Sequence, residues 1–165
     1  PTPLRTNRIV VCRVMRNLAA IALLPGRAAT PKAGTNGKEV DGYATTLGAR
    51  GIVVDEFLPT AGVAVNDLFW GVVEGPALMQ NSLAAGLENL ITEGSLVVAS
   101  TGATSGSTTS GRAAAADFLT TNSTGSAAVN MLINAIGRAL SARTTANTGG
   151  AASLTTILVD VIRFK

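Results

Sequence analysis

Residues 68 to 79 read LFWGVVEGPALM. In an extended chain successive side chains alternate between two faces. Leu68, Trp70 and Val72 then share one side, and Phe69 and Val73 share the other. Both sides are apolar, whereas a strand with one face in water alternates apolar with polar residues. The stretch must sit in a fold that covers both faces, with a core on one side and a second sheet or a sister subunit on the other. It contains the only tryptophan and two of the six aromatic residues of the chain. Leu68, Phe69, Trp70 and Val72 are therefore read as a core anchor or an oligomer interface. For Trp70 the core is the preferred reading, with an interface anchor as the alternative, because tryptophan is enriched where binding energy concentrates.

The rest of the chain supports a β-rich body. Residues 40–47, 51–58, 67–74, 95–101 and 153–164 show strand-like runs, punctuated by Gly, Pro, Asn and Thr. Gly75-Pro76 is expected to stop the strand of residues 67–74, since proline donates no ladder hydrogen bond. Residues 77–91 read as a helical turn or a loop crossing, 101–112 as a low-complexity loop, and 113–120 as a helical turn. About six or seven short strands with such turns, and no alternation of strands with helices, predict a mainly β fold: a small antiparallel β-barrel or sandwich with little helix.

Charge divides the chain. Residues 1–38 carry seven basic residues and no acid, whereas residues 39–165 carry six basic and ten acidic residues. Residues 1–8 read as an extended tail. Residues 9–24 fit either a helix, with Val11, Met15, Leu18 and Ala22 on one side, or a strand over Ile9 to Met15. Residues 25–38 contain two prolines and three glycines and read as a linker. The expected organisation is thus an extended basic N-terminal arm and linker over 1–37 and a β-rich domain over 38–165. Arg5, Arg8, Arg13, Arg16 and Arg27 are the candidate partner-binding residues, aimed at an acidic surface. Nucleic acid is the weaker option, because no aromatic residues interleave the arginines for base stacking.

Composition narrows the function classes. Charged residues make up only 14% of the chain, and Ala, Thr, Ser and Gly fill the difference; such a surface suits a subunit covered by neighbours better than a lone monomer. There is no histidine, and Cys12 is the only cysteine. An intramolecular disulfide and a His/Cys metal site are excluded, and the commonest general base is missing. The sequence has no nucleophile elbow and no phosphate loop; GTNGKE at 34–39 lacks the required spacing. No catalytic residue, cofactor or metal is expected. No apolar run approaches the ~18 residues of a membrane span, and a protein that is intracellular or assembled in the cytoplasm is expected. A small enzyme or ligand-binding barrel is the rival reading. It would need Arg112 or Arg138 buried in a cleft, and both are expected to be solvated.

Three phrases carry a resemblance: DLFWGVVEGPALM, EGSLVVASTGA and NAIGRALSARTTANTGGAASLTTILVDVIRF. Asp67, Trp70, Gly75 and Pro76, then Gly137, Ala139 and Leu140, then the closing run Ile157 to Phe164, resemble the pattern of capsid decoration (cement) proteins of tailed bacteriophages. The likeness covers about residues 38 to 165, and residues 101–112 depart from it as a Thr/Ser/Gly insertion. The segment before it resembles the extended termini that such proteins lay across capsid subunits. The resemblance implies a non-enzymatic virion protein on the outer face of the head, a homo-oligomer and most often a trimer. It would bridge neighbouring major capsid subunits and stabilise the shell against packaged DNA. Deleting residues 1–24 would then abolish capsid binding and leave the β-body folded. Another virion component, such as a minor capsid, tail or fibre protein, is the alternative.

Overall fold

A computed structural model describes residues 9–44, 51–81, 91–100, 111–116, 129, 132–143 and 156–162. The chain is mainly β. Nine strands are found among the described residues: β1 (Val11–Asn17), β2 (Ala28–Pro31), β3 (Glu39–Tyr43), β4 (Ile52–Val54), β5 (Leu68–Gln80), β6 (Leu96–Ala99), β7 (Ala113–Ala115), β8 (Gly137–Ala139) and β9 (Thr156–Val161). All join one sheet, in the order β1-β3-β2-β4-β5-β9-β8-β6-β7, with a further pairing between β1 and β5.

That further pairing closes a circuit. β1 lies antiparallel to β5 from Val11↔Glu74 to Arg16↔Leu68, and parallel to β3 at Arg16↔Glu39 and Asn17↔Val40. β3, β2, β4 and β5 follow as antiparallel neighbours. The other half of β5 pairs with β9, which leads through β8 and β6 to β7. Ala113 of β7 then bridges back to Asn81, just beyond β5. Two five-strand circuits therefore share one long strand.

The two cores follow from this sharing. Met15, Val40, Tyr43, Ile52, Val54, Phe69 and Val73 fill the first circuit. Val97, Ala99, Ala113, Ile136, Ala139, Ile157 and Val159 fill the second, together with Ala77 and Met79 from β5. Register places Cys12, Val72, Val53 and Ala28 in a row across β1, β5, β4 and β2. These four belong to or pack against the second core, so the outer wall of the first circuit is a side of the second. Alanine is frequent here because two walls at this spacing leave room for few larger side chains.

Several expectations change. Residues 11–17 and 28–31, within the stretch expected as arm and linker, are strands of the first circuit, with Ala28 and Ala29 fully buried. Arg13 and Arg16 are both exposed, so they interrupt the apolar pattern without interrupting the strand. Residues 1–8 lie outside the described residues. The sheet is not wholly antiparallel, given β1 and β3. Gly75-Pro76 does not end β5, which runs on to Gln80. The register slips between Val11 and Cys12, so β5 fits one extra residue near Val73, and Gly75 takes φ +96°. Such a bulge is where a strand accepts glycine and proline. It also flips the alternation, so that Val72 before it and Ala77 and Met79 after it all face the second core. Residues 113–115, expected as a helical turn, form β7 because β6 pairs with them along its length. Residues 77–80, expected as turn or loop, are strand, while 82–90 and 101–110 lie outside the described residues.

Candidate docking face

β1 and β5 share the outer wall of the first circuit. Alternation sends Met15 and Phe69, which are paired, into the core, where they are almost fully buried. Their neighbours point out: Val14 pairs with Trp70 and Arg16 with Leu68. Trp70 is 51% exposed, Leu68 65% and Val14 45%. The four apolar residues singled out in the sequence are thereby divided. Phe69 and Val72 are core; Leu68 and Trp70 form an open apolar patch. The preferred sequence reading of Trp70 as core is corrected: the second circuit covers the outer face only from Val72 onward. Phe57, 75% exposed, lies in the turn after β4, where the Asp55 N–H donates to the Trp70 carbonyl at 3.1 Å.

A groove of about 610 Å³ adjoins this patch, lined by Arg13, Val14, Met15, Arg16, Asn36, Lys38, Glu39 and Leu68. Four of these are consecutive in β1. Their side chains alternate between faces, so they can line one groove only if it runs along the strand's edge. Three cations and one carboxylate border it, giving a net positive rim. Arg13 and Arg16 are thus brought together and exposed. Sequence reasoning missed Lys38, Asn36 and Val14. The signal available was Asn36-Gly37, the pair that folds a tight turn in front of β3.

Arg27 was expected to bind a partner and is inside the fold instead, 4% exposed. Its guanidinium lies 5.0 Å from the centroid of the Tyr43 ring, and its Nε donates to Gln80 Oε1 at 3.2 Å. Arg112, expected in solvent, is 2% exposed, and its Nη1 donates to the Asn81 carbonyl at 3.1 Å. Burial pushes the Arg112 guanidinium down to about 10; the neighbouring Arg27 charge acts in the same direction and Tyr43 opposes it. Arg27 is likewise lowered by burial, against the pull of Tyr43. The Tyr43 hydroxyl is raised by burial, opposed by the Leu24 N–H and the two arginines. It accepts from the Leu24 N–H and donates to the Ala22 carbonyl at 3.3 Å. These contacts tie the 22–27 segment to β3 and β5, where the two circuits meet. Arg138 is exposed and donates to the Gly94 carbonyl at 3.1 Å. Arg5 and Arg8 lie outside the described residues. Comparison with protein-family models, with curated proteins and with solved structures finds no match.

Proposed function

We propose that the chain is a virion structural protein that docks on the outer surface of a tailed-phage capsid and bridges neighbouring major capsid subunits. Its fold is read as two narrow β-barrels sharing β5, assembled as a homo-oligomer, with a trimer expected from the resemblance. The observation that carries the reading is the outward Val14, Leu68 and Trp70 patch beside Arg13, Arg16 and Lys38. An apolar patch rimmed by polar groups marks a contact surface, tryptophan and arginine are the residues that anchor such contacts, and a basic rim complements an acidic shell. The sequence resemblance supplies the capsid as the partner.

The test is decoration of purified heads lacking the protein. Wild-type chain should bind at the capsid subunit count or a simple fraction of it, and Leu68→Ser with Trp70→Ala should weaken binding by about 2 kcal/mol or more. Decoration by that double variant at wild-type affinity would sink the reading.

A further inference from the structure

One edge of β1 extends past its pairing with β3. The Asn17 N–H donates to Asp67 on the β5 side at 2.9 Å, while the Arg16 N–H donates to Lys38 on the β3 side at 2.9 Å. Backbone groups alternate sides along a strand. Odd-numbered residues of β1 therefore serve β5, and even-numbered ones serve the β3 side. Leu18 is served there too, by the Val40 carbonyl. Toward Val14, however, β3 gives out. Its pairing with β1 covers only Arg16 and Asn17. The preceding residues Asn36 and Gly37 take φ 52° and 67° and turn the chain back toward β2. Among the described residues no strand continues beside Val11–Met15 on that side, and the basic groove occupies the gap.

We infer that this edge takes an extended acidic segment of a partner protein as an added strand. Strand addition at an exposed edge draws affinity from main-chain hydrogen bonds and specificity from side-chain pockets. Here the backbone of Val14 supplies the first. Arg13, Arg16 and Lys38 supply the second for carboxylates, and Leu68 with Val14 for alternate apolar residues. Charge decides among occupants. A second copy of this edge would set Arg13 and Arg16 against themselves. The chain's own residues 1–8 carry Arg5 and Arg8 and no acid. A nucleic acid strand would meet the cations but has no strand amides for the edge. The inference rests on the docking reading for the source of the segment, a capsid surface.

The probe is a capped synthetic peptide alternating Glu with Val and Thr, added to the full-length chain. Readouts are amide exchange at Val14 and the fluorescence of Trp70, the single tryptophan. The expected result is protection of the Val14 amide, with affinity falling about tenfold when Lys replaces Glu in the peptide, when alternate peptide amides are N-methylated, or when Arg13 and Arg16 are changed to Glu. Val14→Pro should act like N-methylation, since an edge strand tolerates proline where the N–H faces outward; the N-methylated peptide makes the same test on unaltered protein. Equal affinity of the Lys or N-methylated peptide, no binding up to about 1 mM, or preference for a single-stranded oligonucleotide overturns the inference. Heads that bind the wild-type chain while the peptide does not would leave the docking reading standing and remove the edge. Peptide binding without head binding would do the reverse.

Discussion

Gly71 tests whether the first circuit is closed around a packed core. It lies in the first half of β5, paired with Arg13 of β1 on one side and Val54 of β4 on the other. A Cβ at this position would stand 2.7 Å from Ile52 Cγ2 and 3.0 Å from Met15 Sδ. Ile52 comes from β4 and Met15 from β1, and each is 1% exposed. Neither can move aside without disturbing the opposite wall. Overfilling a core of this kind costs about 1–3 kcal/mol. Replacing glycine also restricts the unfolded chain, which returns about 0.4–1 kcal/mol. Gly71→Ala should therefore destabilise by about 1–2 kcal/mol, a fall in Tm of roughly 3–8 °C for a chain of this size. Urea and thermal unfolding followed by circular dichroism would measure it. The decisive comparison uses Ile52→Ala as background. That change vacates the space a new methyl would fill, so Gly71→Ala should there be neutral or stabilising. An equal cost in both backgrounds, or no cost in the wild type, would refute the closed packing of β1, β5 and β4.

Adjacent residues of β5 should respond differently to truncation. Phe69→Ala, at 3% exposure in the core, should cost about 3–5 kcal/mol in urea unfolding, whereas Trp70→Ala, half exposed, should cost below about 2.5 kcal/mol. Deleting residues 1–17 removes β1 and the buried Asn17 side chain, whose Nδ2 donates to the Val63 carbonyl at 3.0 Å; the truncated chain should lose cooperative unfolding, contrary to an arm that leaves the body folded. Tyr43 gives a pH dependence. Its folded pKa is raised above the unfolded value of 10.0, so the folded state holds the proton longer and stability falls as pH rises past about 10. Tyr43→Phe should lose about 1–2 kcal/mol at neutral pH by stranding the Leu24 N–H, and its stability should decline less steeply above pH 10 in calorimetry.

Some of this was legible in the sequence for a simple reason. Alternation along residues 68–73 and 156–161 has period 2, and it assigned Leu68, Trp70 and Val72 to one face and Phe69 and Val73 to the other, as the pairings have it. What failed was local reading of signals whose meaning is set by distant partners. Arg13 and Arg16 looked like an arm, because a strand edge facing a groove can carry charge at consecutive turns of the pleat. Ala28 and Ala29 looked like linker, because a wall shared between two cores calls for small residues. Gly75-Pro76 looked like a stop, because the bulge that admits it depends on β1 alongside. Arg27 looked like a partner-binding residue and Arg112 looked solvated, because their burial beside Tyr43 depends on chain segments distant in sequence.

The proposed docking rests on the face that alternation assigned to Leu68 and Trp70. The fold accounts for Phe69 and Val73, which fill the first circuit, and for Val72, which lies under the second. It gives no use to Leu68 and Trp70, which share the face of Val72 but stand beyond the reach of the second circuit. A polar residue at either position would cost less folding energy than one in the core, since both side chains are at least half exposed. The sequence places the chain's only tryptophan there, beside a basic groove and the stretch of β1 that extends past β3. Folding does not require that combination, and a partner that brings apolar side chains and carboxylates on an extended segment would use every part of it.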